Sequence, residues 1–431
     1  MSPTSVERLL CQIEHDREEI IAFEQALIRH PSETGQEKAC QEYLAGWLRQ
    51  AGYTVDVFTP EDVAGGRDFR GRPLAISYAD RPNVVAVCRG RGGGRSLLLM
   101  SHVDTVPIGP LHTWSVPPLG GEIRNGKIYG RGAQDDKEGI TAQTFALECI
   151  RRAGLRLKGD VILCSVVDEE GGGSMGSWAC LARGYRADAG IYLDGLDLKI
   201  HPANLGWSGA TVKIRTGLSQ MHIGRAKACA DAIYAALLAL RAERRPTFEA
   251  HPAYRETEWP ANNLIVPYVS VGHPGGVAMN QAVVGAMIYT LPGTDLMADR
   301  ELLSTRVRQA LEAEEGGVPP PEIEWNPTWV DPYQAPPDAG IISTLRQASA
   351  DATGTPMAVE GMPASDLHIL GNYSAGMPAV CTGPGSFGVP ESAHQPDESI
   401  SIDGKLMPFV KSIALTILYW CGEAEPPSLC R

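Results

Sequence analysis

The sequence predicts an α/β protein: a catalytic domain on a mostly parallel sheet, with a small α+β, ferredoxin-like domain inserted into it. Two observations carry this. Between residues 83 and 170, apolar β-branched runs alternate with one long helical pattern, the alternation of a parallel sheet. Between 209 and 330 the order becomes strand, helix, strand, strand, helix, strand, that of a split βαβ unit. Length agrees, because 431 residues exceed one ordinary core.

Taken in order, residues 5–30 set Leu9, Leu10, Ile13, Ile20, Ile21, Phe23, Leu27 and Ile28 mostly on one face of a single amphipathic helix. HPSETGQE (30–37) stops it, and Ser32 or Thr34 is the expected cap of a second helix that ends at Gly52. Strands follow at 83–88, 96–104 and 160–170, with the helix TAQTFALECIRRAGL between the last two. GRGGGRS (90–96) lacks the Lys-Ser/Thr ending of a phosphate loop and precedes a strand, so it reads as a turn. After Asp194 come GATVKIRT, a long helix over 227–243, strands in 263–272 and 282–293, a helix over 295–314 and a strand over 322–330. The expected division is 1–203 with 334–431 for the catalytic domain, and 204–333 for the insert. The chain closes with the helical patterns GIISTLRQASADATG and KLMPFVKSIALTILYW.

Composition narrows the function. A formal net charge of −13 opposes a nucleic-acid or anionic-membrane partner. No run of about 18 apolar residues offers a membrane span. The N-terminal stretch carries acids where a signal peptide needs a basic, then apolar start, so a cytoplasmic location is expected. Ten cysteines without a C-x-x-C pair suggest reduced, mostly buried thiols.

The chemistry concentrates at strand ends. The apolar run ILCSVV stops in Asp168, Glu169 and Glu170, followed by three glycines. Three adjacent like charges repel, and a divalent cation makes such crowding favourable. In open α/β sheets, sites form beyond the carboxyl ends of strands. There, MSHVDTVP offers His102 and Asp104, two apart and so on one side of an extended chain. YGRGAQDDKEG offers Asp135 before a helix, IYLDG offers Asp194, and ESAHQPDES offers His394 in a loop. For each residue alone, a turn or a satisfied hydrogen-bonded pair is the plainer reading. Asp136, Lys137 and Asp366 are taken as structural or supporting groups.

In this order SHVDTVP, Trp114, PPL, IYGRGAQDDKEG, VVDEEGGGSMGS, YLDG and TGPG…AHQPDES resemble the motif set of one metallohydrolase family. That family includes acetylornithine deacetylase, succinyl-diaminopimelate desuccinylase, aminoacylase-1 and glutamate carboxypeptidase. The resemblance runs from HPSETGQE to AHQPDE, nearly the whole chain. It implies a two-metal centre for zinc, manganese or cobalt, with Asp135 bridging, His102 and Asp194 on one ion, and Glu170 and His394 on the other. Glu169 would be the general base, Asp104 would stand behind His102, and His222 of the inserted domain would stabilise an oxyanion. Asn280 matches a substrate-contacting asparagine, and a homodimer is implied.

One departure bears on the substrate. Relatives that bind an amino-acid carboxylate read Asp-Ile-Arg before their xxPG, where this chain has Met287 and Tyr289. The carboxylate clamp is replaced by an apolar side chain and a ring, so the substrate either lacks that anion or presents it to Arg225 or a metal. The expected activity is deacylation of an N-acyl amino acid, a metal-assisted cleavage of a C–N bond in a small molecule. The alternative is hydrolytic deamination of an aromatic amine, as in nitroanthranilate aminohydrolase, with Tyr289 stacking on the ring. A non-catalytic homologue would be expected to lose the base or a ligand; a two-metal phosphoesterase is opposed by the motif order.

Overall fold

The computed structural model describes residues 4–216, 223–272, 281–312, 314, 318–388 and 392–425. The chain divides into two compact units. One comprises Met1–Pro202, Ala335–Val359 and Ser365–Arg431; the other comprises Ala203–Gln334 and Glu360–Ala364.

The larger unit is built on seven strands: β1 (Thr54–Phe58), β2 (Asn83–Cys88), β3 (Leu97–His102), β4 (Val161–Val166), β5 (Ala189–Tyr192), β6 (Lys199–His201) and β7 (Ala379–Gly383). Their order is β1-β2-β4-β3-β5-β7-β6. The four central strands β4, β3, β5 and β7 run parallel. On one side β2 runs antiparallel to β4 and β1 antiparallel to β2, and on the other β6 runs antiparallel to β7. Every residue of β3 and β4 is buried, which is why both read as unbroken apolar runs rather than alternations. Helix Lys137–Arg152, buried along most of its length, packs on β3 and against helix Met407–Cys421. Helices Met175–Ala182 and Leu367–Asn372 pack on each other and on β4, β5 and β7. Parallel strands covered in this way put their C-terminal ends, and His102, at one edge.

Local chemistry departs from the sequence expectation in three places. The first helix is two, Ser5–His15 and Arg17–Arg29. Asp16 leaves helical geometry between them and turns its buried carboxylate toward Arg152, 3.2 Å away. Neither Ser32 nor Thr34 caps the next helix, which starts at Lys38 after Glu37. Ser32 Oγ donates to the Val103 carbonyl and Thr34 Oγ1 to Asp104, so both hydroxyls brace the site edge instead. Short strands went unread: β1, β6 and the three-stranded sheet of Glu122–Arg124, Lys127–Tyr129 and Ser399–Ser401. All but the five-residue β1 have three residues, too few to show a period.

In the smaller unit, strands Gly206–Arg215, Leu264–Ile265 with Val269–Val271, Gln281–Thr290 and Glu322–Val330 pair antiparallel. Counted as strands one to four, they lie in the order 2-3-1-4, with helices Ile223–Ala250 and Leu296–Glu312 in the connections. This is the ferredoxin-like arrangement. Along Gly206–Arg215 alternate residues are buried, so Val212 and Ile214 join Leu237, Val284, Ile288, Leu303 and Val307 in one core.

Glu24, fully buried on helix Arg17–Arg29, bonds to Thr141 Oγ1 at 2.5 Å. Burial pushes its pKa up to about 8, against the Thr141 bond and the Lys137 charge. A raised folded pKa contributes stability that is complete below the unfolded value and is lost as pH climbs toward the folded one. Glu24→Gln keeps a partner for Thr141 and removes the titration. The fall in melting temperature between about pH 5 and pH 8 should therefore flatten in the variant, and scanning calorimetry showing an unchanged slope would contradict this.

Candidate metal centre

The site edge is assembled from five segments of the larger unit. β3 ends at His102, whose backbone N–H donates to Asp136 Oδ2 at 2.9 Å. Its Nδ1–H donates to the Asp104 carbonyl at 2.9 Å, which turns Nε2 toward the acids. Nε2 lies 3.0 Å from Asp135 Oδ1 and 4.0 Å from Asp194 Oδ2. His394 Nε2 lies 2.9 Å from Asp135 Oδ2 and 3.0 Å from Glu170 Oε1. Two groups result, His102–Asp135–Asp194 and Asp135–Glu170–His394, each with its ligand atoms within 4.8 Å of one another. Asp135 belongs to both and offers one oxygen to each imidazole.

Asp104 does more than stand behind His102. Its Oδ1 is 3.6 Å from His102 Nδ1, farther than its own carbonyl. The carboxylate instead accepts the backbone N–H of Glu169 on Oδ1 and of Glu170 on Oδ2, each at 3.1 Å, and the Thr34 hydroxyl at 2.8 Å. One buried anion thereby fixes the turn carrying the two glutamates.

The third acid of the triplet leaves the site. Asp168 has φ +73°, in the left-handed region, and is buried. Arg81 Nη2 reaches its Oδ1 at 3.1 Å, and the Tyr78 hydroxyl donates to Oδ2 at 2.5 Å. Arg81 is held in turn by Glu37, at 2.6 Å. A side-chain carbon at Gly171 or Gly173 would strike the Asp168 carboxylate, which accounts for the glycines after the acids. Sequence reasoning missed Tyr78, Arg81 and Glu37; they are 87 to 131 residues from Asp168, with no spacing to reveal them.

The loops bearing Asp135 and His394 are tied together. Lys127–Tyr129 pairs with Ser399–Ser401. Glu398 forms a buried ion pair with Arg131 at 2.6 Å and accepts the Gln134 N–H at 3.1 Å. His394 itself sits at φ +64°.

Electrostatics follow from crowding. Burial, then the neighbouring acids Asp366, Glu170 and Asp135, push the Glu169 carboxyl well above its ordinary range, against the His102 charge. Burial and Asp135 raise Asp194 and Glu170 likewise. Asp135 goes the other way: burial would raise it, but its bonds to His102 and His394 hold it well below the usual carboxylate range. His394 is pushed up to about 11 by Asp135 and Glu170, against burial. The Cys381 thiol donates to the Asp194 carbonyl and is pushed up by burial and by Asp194.

Of the remaining sequence candidates, His222 and Asn280 lie outside the described residues. Arg225 is half-buried near the start of helix Ile223–Ala250 in the smaller unit. Tyr289 is 8% exposed and packs on Trp259 in a cluster with Phe248, Tyr254 and Leu291, a core environment for its ring.

Two imidazoles among clustered carboxylates at the end of a parallel sheet define a metal-dependent hydrolase. Residues 98–419 match the description Peptidase family M20/M25/M40. N-formyl-4-amino-5-aminomethyl-2-methylpyrimidine deformylase of Halalkalibacterium halodurans is 26% identical over 447 residues, covering 96% of this chain and 97% of its own. Succinyl-diaminopimelate desuccinylase of Paracidovorax citrulli is 28% identical over 405 residues, covering 87% and 91%. Human carnosine dipeptidase 1 shares the fold at a TM-score of 0.73 and 16% identity, covering 97% of this chain and 99% of its own. The chain belongs to Peptidase family M20/M25/M40, a family that binds one or two divalent metals, and it is a metallohydrolase acting on C–N amide bonds.

Two expectations follow. Asp135→Ala should remove both equivalents of bound metal, whereas Asp194→Ala and His394→Ala each remove about one; plasma mass spectrometry of dialysed protein decides, and two retained equivalents in Asp135→Ala would defeat the shared ligand. Asp104→Asn presents a donor to a backbone N–H and should cost about 1–3 kcal/mol of stability, read by urea denaturation.

Proposed function

We propose that the chain hydrolyses a small N-acyl amide, with a formyl or similarly short acyl group on an amine that carries no carboxylate. The observation that carries the reaction type is the pair of donor groups sharing Asp135, with the half-buried Glu169 next in sequence to one ligand and in neither group. The ligand set His102, Asp135, Glu170, Asp194 and His394 suits zinc, manganese or cobalt, being nitrogen and carboxylate oxygen without thiolate. Such ions lower the pKa of water toward roughly 7 and polarise a carbonyl.

The chain's own groups do the proton work. Glu169 takes a proton from the attacking water as the oxygen–carbon bond forms. It returns the proton to nitrogen as the carbon–nitrogen bond breaks, giving a carboxylic acid and an amine. Asp104 keeps Glu169 and Glu170 in fixed relation through their N–H groups. The inserted unit is read as lid and dimerisation domain, with His222 as the oxyanion donor.

Two features support the substrate class. Met287 and Tyr289 stand where an amino-acid-binding relative has its arginine clamp. The deformylases of Halalkalibacterium halodurans and Bacillus subtilis, aligned over 96% of this chain, are named for an aminomethylpyrimidine amide.

Formate release from N-formyl-4-amino-5-aminomethyl-2-methylpyrimidine tests the reading. Wild-type protein should release formate, and Glu169→Gln should keep its metal while losing roughly 10²- to 10⁴-fold in kcat. Full turnover in that variant would remove the base; release of ammonia in place of formate would favour the aminohydrolase.

A further inference from the structure

Phe387 lies in the loop that follows β7 and leads to His394. The stem of that loop is wedged among the ligand-bearing segments. Gly385 donates its N–H to the Gly195 carbonyl at 3.0 Å. A side-chain carbon on Gly385 would come within 2.9 Å of that carbonyl and 3.1 Å of the Gln134 carbonyl. Gly195 adjoins Asp194, and Gln134 adjoins Asp135. Ser386 then ties the loop to itself. Its carbonyl accepts the Ala393 N–H at 2.8 Å, and its Oγ accepts the Gly388 N–H at 3.2 Å. Phe387 is thus set by bonds on both of its neighbours, one of them to the residue before His394.

The phenyl ring meets the His394 imidazole edge to face, with centroids 5.7 Å apart and planes at 77°. His394 Nε2 is the atom that lies 2.9 Å from Asp135 and 3.0 Å from Glu170. The ring therefore adjoins one of the two donor groups, yet Phe387 is 52% exposed. A singly exposed apolar residue is ordinary on a protein surface. One braced against a donor-group imidazole stands where anything bound at those donors has to lie close by. Tyr289, the ring first expected to stack on an aromatic substrate, is 8% exposed and is spent on the core of the smaller unit.

We propose that Phe387 is a specificity-determining residue: the exposed part of its ring packs on a flat heteroaromatic group of the substrate. That contact would hold the amine portion while the acyl carbon lies at the donor groups, and ring-on-ring burial would replace the missing carboxylate clamp. This role rests on the amide reading above.

Metal-loaded wild type, Phe387→Ala and Phe387→Tyr are compared on two probes. One is N-formyl-4-amino-5-aminomethyl-2-methylpyrimidine; the other is N-ethylformamide, which has the amide and no ring. Phe387→Ala should lose about tenfold or more in kcat/KM on the pyrimidine, through KM, and no more than about twofold on the alkyl amide. Phe387→Tyr keeps a ring and should stay within about threefold of wild type on both. Metal content should not change in either variant. Calorimetric titration with the amine product should show the same loss of about tenfold in Phe387→Ala. An equal loss on both amides, unaltered pyrimidine kinetics, or loss of metal in Phe387→Ala would each overturn the role, the last by making the ring a brace for His394. If wild type releases formate and Phe387→Ala matches it, Phe387 alone is rejected. If wild type binds the product without releasing formate, the reaction is rejected and the calorimetric ratio decides Phe387. Neither turnover nor product binding in wild type rejects both.

Discussion

Repulsion among Asp104, Asp135, Glu169, Glu170 and Asp194 at one end of a sheet is the constraint to which the larger unit is built. Two unit charges about 4 Å apart repel by roughly 4 kcal/mol at an effective dielectric constant near 20, so five buried and half-buried acids crowded together need either protons or cations. The pattern of shifts shows how the load is divided. Asp135, between two imidazoles, is held low, whereas Glu169, Glu170 and Asp194 are pushed up. Divalent ions would replace those protons, which ties metal affinity to pH.

Holding that arrangement requires rigid neighbours, and the fold supplies them from distant segments. Asp104 spends its carboxylate on the backbone of the glutamate turn. Asp168 turns back into an ion pair with Arg81, so only two of three adjacent acids remain at the site. Glu398 with Arg131, and the short pairing beside them, join the loop of Asp135 to that of His394. Each brace is a buried charged group with a partner, the condition under which burial of charge is tolerated.

Much was legible where a residue's role leaves a local trace. The apolar runs of β3 and β4 announced strands because both faces are covered, and acids at the end of such a run announced the site. The motif order then named five ligand candidates, and the fold brings them into two overlapping groups. Helix Ser5–His15 was merged with its neighbour because the apolar period continues across Asp16, although the backbone breaks there. Ser32 and Thr34 look like caps locally, yet their hydroxyls are drawn to Val103 and Asp104, across about 70 residues.

By itself the sequence determined the layered α/β architecture, the split βαβ insert and the identity of the chemical groups, because periodicity and side-chain chemistry are local properties. Only the tertiary structure decided that Asp168 faces Arg81 and Tyr78, and that Asp104 serves the glutamate backbone. Those facts depend on which segments meet when the sheet closes, and a contact between residues a hundred apart leaves no pattern along the chain.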